Sequence, residues 1–117
     1  MVKLSTVLEA PERVRGCCVE LAPALSDKSA DSVADVFKAL ADPTRVQMVH
    51  MLKAATEPIC VCDFTAAFDL GQPTVSHHLA KLKAAGLVDS FKRGVWAFYH
   101  LRDSMPAEVR RALELIR

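Results

Sequence analysis

Four cysteines stand in two close pairs, Cys17-Cys18 and Cys60/Cys62. Neighbouring cysteines, and cysteines one residue apart, make poor disulfides, because the required Cα separation and torsion are hard to reach. Clustered reduced thiols are natural ligands for a soft ion. The spacing puts Cys60 at the cap and Cys62 in the first turn of a short helix, where the helix dipole and free N–H groups favour the thiolate. The other use of such residues is as small buried hydrophobes, which would account for one or two of the four.

A second constellation is Gln72-Pro73-Thr74-Val75-Ser76-His77-His78. Reading base edges in a major groove needs donors and acceptors on the N-terminal half of a helix that enters it. Gln72, Thr74, Ser76 and His77 supply them, and Lys81 is better placed for phosphate. His78 lies beside the apolar stripe and is read two ways, as a packed, hydrogen-bonded histidine or as a DNA contact. Lys92 and Arg93 would reach adjacent backbone or a minor groove. The net charge of +1 gives by itself no reason to propose nucleic acid, but its distribution does. From Gln72 to Arg102 five bases face the single acid Asp89, whereas the remainder has ten bases and thirteen acids, net −3. A basic segment on an otherwise acidic chain suits one face approaching phosphates.

The elements that would position these residues fit one domain, the size expected of 117 residues. Residues 1–28, with Pro11, Pro23 and the first cysteine pair, have weak periodicity and are expected to form a loose arm or a short helix. Residues 29–117 carry the folded unit. Val33, Val36, Phe37 and Leu40 predict a helix from Asp31. Asp42 caps a second helix with Pro43 in its first turn and Val46, Val49 and Leu52 inside. Cys60 to Phe68 reads as a short helix closed near Gly71. A further helix opens at Pro73 and buries Val75, Leu79 and Leu82. After Gly86 the period becomes two: Leu87–Lys92 and Val95–His100 flank Arg93-Gly94 as a hairpin with a basic tip. Pro106 to Arg117 returns to an amphipathic helix, which can cover its own core or pair with a second copy. This is a mainly α fold with a β-hairpin wing, a winged helix-turn-helix. No stretch is long enough to span a bilayer, and no secretory signal opens the chain, so a cytoplasmic place without membrane contact is expected. No catalytic triad, phosphate loop or paired carboxylate is apparent, so no enzyme and no organic cofactor is expected.

The runs Phe37-Lys38-Ala39-Leu40-Ala41-Asp42-Pro43-Thr44-Arg45, Gln72 to Leu82 and Ala85-Gly86-Leu87-Val88 resemble the ArsR/SmtB family of metal-responsive repressors. The likeness runs from about Asp31 to Leu101. Cys60-Val61-Cys62-Asp63 is similar to the Cys-Val-Cys-Asp inducer motif of some arsenic and cadmium/lead repressors. The resemblance implies a homodimer that binds double-stranded operator DNA of a resistance operon and lets go when inducer binds. One cysteine pair offers two sulfurs, fewer than the three of trivalent arsenic or the three to four of a cadmium or lead site. Cys17 and Cys18 are therefore expected to join Cys60 and Cys62, and family likeness favours an arm that crosses to the partner. The chain departs from the family twice. Thr65 stands where some arsenic repressors have a third cysteine, and the last helix lacks the histidines of the family's zinc site, leaving His100 and Asp103 as an insufficient remnant. These departures favour a thiophilic inducer over zinc, and the adjacent pair Cys17-Cys18 favours As(III), as arsenite or a related arsenical, over Cd(II) or Pb(II). A thiol redox sensor on the same scaffold is the rival expectation.

Overall fold

A computed structural model describes residues 9–12, 16 and 21–117. Helix α1, Asp27–Leu40, opens earlier than the Asp31 start that periodicity suggests, because the Ser26 hydroxyl accepts from the Ser29 N–H at 3.1 Å and caps the first turn. The helix thus begins inside the segment expected to be arm. Val36 and Ala39 form its buried face, whereas Phe37, expected inside, is 52% exposed. Helix α2, Pro43–Ala54, follows at once, with Asp42 as its cap and Pro43 in the first turn, as expected. Met48 joins Val49 and Leu52 in its buried stripe, and Val46 is only half-buried.

A strand absent from the sequence reading comes next. β1, Ile59–Cys60, is two residues long and pairs antiparallel with the wing, Cys60 opposite Phe98. Helix α3, Val61–Phe68, ends at Phe68 as expected and is closed by Asp69 in the left-handed conformation (φ 51), two residues before Gly71. Asp tolerates that conformation because its short polar side chain can bond locally. Gly71 instead caps helix α4, Gln72–Ala84, which buries Val75, Leu79 and Leu82 completely, as the spacing predicts.

Strands β2, Val88–Arg93, and β3, Trp96–Leu101, make the hairpin, and the sheet order is β1-β3-β2. Arg93 pairs with Trp96, so the turn residues are Gly94 and Val95, one position beyond the expected Arg93-Gly94. Gly94 takes φ 64 while Val95 has no positive φ, the demand of a type II′ turn for glycine at its first central position. Helix α5, Ala107–Leu113, is shorter than expected, and residues 114–117 continue as turns. Val109, Leu113 and Ile116 nevertheless pack on the chain's own core. Lys53 of α2 donates to the carbonyl oxygens of Leu113 (2.8 Å), which also accepts from the Ile116 N–H, and of Ile116 (2.6 Å), tying the end of the chain to α2. Phe64, Met48, Leu79, Leu82, Leu87, Val49, Val75 and Val88 fill the centre, so α3, α4 and the base of the wing share one core.

Candidate DNA interface and thiol site

Helix α4 leaves its polar residues outward, because its apolar side is fully committed to the core. Gln72, Thr74, His77 and Lys81 are exposed and Ser76 is half-buried. Its cap, Gly71, has no side chain, and no acidic residue stands in the first turn. The first N–H groups and the positive end of the dipole thus face outward with nothing of the helix's own to neutralise them.

His78 is held inward. Its Nδ1 lies 3.1 Å from an Arg45 guanidinium nitrogen and 3.9 Å from the Asp42 carboxylate, and its side chain is 15% exposed. Arginine can only donate, so Nδ1 accepts and the proton of the neutral ring sits on Nε2. Arg45 also donates to Ala39 O at 2.6 Å, tying the end of α1, the start of α2 and the middle of α4 together. Of the two readings of His78, this geometry favours the packed, hydrogen-bonded one. The Asp42 carboxyl is held below its ordinary value, first by the Arg45 backbone N–H and then, against some loss of hydration, by the charge of Arg45.

The five bases between Gln72 and Arg102 divide. Lys83 Nζ donates to Ser90 Oγ at 2.8 Å, linking α4 to the wing, and Arg102 pairs with Asp89 at 3.6 Å. Lys81, Lys92 and Arg93 stand exposed on α4 and the wing. The wing also exposes Val95 (91%) and Trp96 (55%), which the emphasis on its basic tip overlooked.

The thiols sit behind this surface. Cys60 is buried and Cys62 exposed, their sulfurs 2.8 Å apart. Asp63 fixes the turn, its carboxylate accepting from the Cys60 N–H at 3.1 Å. Thr65, in place of a third cysteine, donates its hydroxyl proton to Cys62 O at 2.7 Å. The expected thiolate bias fails at Cys62. Hydrogen bonding with Cys60 pushes its thiol up, followed by lost hydration and the nearby charges of Cys60 and Asp63, and these outweigh the Asp63 backbone N–H. Two converging thiols penalise each other's negative charge more than one short helix relieves it.

Cys17 and Cys18 lie outside the described residues. Among the described residues no three His, Cys, Asp or Glu side chains converge on a metal position. Two adjacent sulfurs fit part of a soft-ion donor set. A cleft of about 520 Å³ opens in front of them, between α3, the start of α4 and the wing. Its walls include Gln72 and Ser76 on one side and Lys92, Trp96 and Tyr99 on the other. The alternating pattern of β3 could have pointed to Trp96, but pairing of the cysteine turn with β3 depends on a two-residue strand with no pattern of its own.

The family described as "Bacterial regulatory protein, arsR family" matches residues 42–90. The HTH-type transcriptional regulator MJ1325 of Methanocaldococcus jannaschii is 38% identical over 84 residues, 72% of this chain and 93% of that protein. The arsenical resistance operon repressor of Escherichia coli is 40% identical over 79 residues, covering 68% of this chain and 67% of the repressor. The cadmium resistance regulatory protein CadC of Listeria innocua is 39% identical, covering 68% and 66%. Among solved structures, the homodimeric winged helix-turn-helix DNA-binding domain Mb0332 of Mycobacterium bovis superposes with a TM-score of 0.62 at 31% identity, over 82% of this chain and 86% of that one. No helix among the described residues is long and apolar enough to cross a membrane. With the cysteine turn, the α3–α4 pair and the hairpin beside it arranged as above, the chain belongs to the arsR family of winged helix-turn-helix transcriptional regulators.

Proposed function

We propose that the chain is a cytoplasmic homodimeric repressor of a metal(loid)-resistance operon that leaves its operator when trivalent arsenic, as arsenite or an organoarsenical, binds its thiols. The observation that carries this reading is the place of Cys60. It caps the helix that precedes α4 and pairs with the strand that carries the wing, so a ligand there touches both DNA-facing elements. Gln72, Thr74, Ser76 and His77 read base edges or bond the backbone, Lys81, Lys92 and Arg93 meet phosphates, and His78 positions α4. Cys17 and Cys18 complete the sulfur set for arsenite. The exposed Phe37 on α1 and Leu115 after α5 supply apolar surface for a second copy, and the likeness to the homodimeric Mb0332 supports that assembly.

Two copies place their α4 helices about one turn of DNA apart. Ligand-induced shifts of α3 and β1 spoil that spacing, and a coupling of roughly 1–3 kcal/mol, about 5–150-fold in affinity, suffices to release a modest binder. A cadmium/lead-responsive repressor is the second reading, favoured by the likeness to CadC. The test is a fluorescence-anisotropy titration of the reduced protein on its promoter DNA, repeated with arsenite, cadmium, lead, zinc and peroxide. Release by arsenite supports the proposal. Release by cadmium or lead alone transfers the protein to the second reading, release by peroxide alone makes it a redox sensor, and no DNA binding removes the repressor assignment.

A further inference from the structure

We propose that Val95, at the tip of the wing with Trp96 beside it, enters a minor groove of the operator and selects base pairs that lack the guanine 2-amino group. This rests on the reading of α4 and the wing as the DNA-facing surface, and it names what the wing adds to the choice of sequence. The turn itself does not call for these residue types. A type II′ turn asks for glycine at its first central position, which Gly94 supplies, and makes no demand for an apolar residue at its second. Val95 is nevertheless 91% exposed and Trp96 55%, within a run from Phe91 to Trp96 that is exposed throughout. Adjacent apolar surface in water is favourable to cover, and its neighbours indicate by what. Lys92 and Arg93 immediately precede the turn, and no acid stands between Ser90 and Arg102. An apolar point on a cationic stalk suits a partner with anionic walls and an uncharged floor.

The minor groove is such a partner. It is about 6 Å wide between its phosphate rims, room for the tip of a turn but not for a whole hairpin. At A·T pairs its floor carries only the acceptors adenine N3 and thymine O2, whereas at G·C pairs the guanine 2-amino group projects from it. Valine has no atom that accepts a hydrogen bond, so pressing it onto that amino group strips water from a donor and gives nothing back. Val95 therefore selects A·T. Arg93 acts in the same direction, because A·T runs narrow the groove and deepen its negative potential. The bond from Lys83 Nζ to Ser90 Oγ, 2.8 Å long, ties the wing to α4. With α4 in a major groove the tip is then held over the minor groove next to it, and the selection falls on pairs flanking each half-site, beyond the reach of α4.

The test uses the full reduced chain on its promoter DNA, with the flanking pairs located by hydroxyl-radical protection and then replaced by A·T, G·C or inosine·cytosine. Inosine lacks the 2-amino group but keeps the major-groove edge of guanine, so it separates the two grooves. A·T and inosine·cytosine flanks are expected to bind alike, and about tenfold tighter per flank than G·C. Trp96 is the chain's one tryptophan, and its quenching by acrylamide should fall when DNA is bound. Val95→Asn suits the turn and offers an oxygen that accepts from the amino group. It is expected to keep the thermal midpoint and the affinity for G·C-flanked DNA while losing the preference for A·T. Equal affinities for A·T and G·C flanks, inosine·cytosine behaving as G·C, or unchanged quenching overturns the proposal. So does a preference that persists in Val95→Asn, which assigns the effect to groove width and Arg93. Binding without flank preference leaves the repressor reading standing, whereas no binding to any of the three DNAs removes that reading together with this one.

Discussion

Arg45 shows how much of the DNA-facing geometry rests on single side chains behind it. Its guanidinium bonds Ala39 O and His78 Nδ1, so one residue joins α1, α2 and α4. Arg45→Ala removes charge-assisted bonds and leaves a part-buried carbonyl without its donor, a loss of about 1–3 kcal/mol. We expect the urea midpoint to fall accordingly, with operator affinity falling at temperatures where the variant is still folded. An unchanged midpoint would show that the network contributes nothing. Asp42, in the same network, gives a pH signature. Its carboxyl is depressed in the folded chain, so its contribution is fully present above the ordinary value of 3.8 and is lost as pH falls through the lowered folded value. Asn keeps the cap without the titration. The stability difference between the native chain and Asp42→Asn should therefore be flat near neutrality and shrink only in acid, as read from urea midpoints across pH. At this scale the sequence showed which residues could do chemistry more clearly than how their neighbours would tune them. The Asp42 cap is a local pattern three residues long, but the Arg45–His78 bond spans 33 positions and the Cys62 shift depends on a sulfur whose direction spacing does not set.

At the scale of elements, the wing's turn offers the cleanest experiment. Gly94 has φ 64, yet a Cβ built there would meet nothing nearer than Trp96 Cε3 at 3.9 Å. The cost of Gly94→Ala is then backbone conformation alone, about 1–2 kcal/mol, with no crowding added. We expect thermal stability to fall modestly and operator binding to weaken further as the exposed Arg93 and Lys92 lose their fixed place. If DNA affinity is unchanged in the folded variant, the wing tip is not part of the interface. The turn also marks where sequence patterning stops. Alternation announced both long strands, but a one-residue shift of the turn leaves the alternation intact, so only the pairing of Arg93 with Trp96 settles it. The long amphipathic elements were legible because their periodicity is repeated: Val75, Leu79 and Leu82 are all fully buried. β1 was not, since two residues carry no period. The end of α3 at Phe68 is legible, although the left-handed residue that closes it is Asp69 and no glycine, and the start of α1 is not, because Ser26 lies before any apolar repeat.

Over the whole molecule, positive charge is concentrated in one segment. The segment from Gln72 to Arg102 is net +4 on a remainder that is net −3, and within it Lys83 and Arg102 already have partners. Lys81, Lys92 and Arg93 are left as the exposed cations of that segment, six in a dimer. If each neutralises one phosphate, the logarithm of operator affinity should fall against the logarithm of salt with a slope of about −5, roughly a thousandfold loss between 50 and 200 mM. The structure makes the sharper version of this prediction comparative. Lys81→Gln removes one phosphate contact per protomer and should reduce the slope by about 2, whereas Lys83→Gln, whose ammonium bonds Ser90 Oγ, should leave the slope nearly unchanged and show its effect in stability. Both variants change net charge equally, so a general electrostatic field acting through the whole chain would shift the two slopes alike. Anisotropy titrations at four or five salt concentrations separate the alternatives: unequal slopes place the phosphates along the outer edge of α4 and the wing, and equal ones mean that the surface drawn here is not the one that meets DNA.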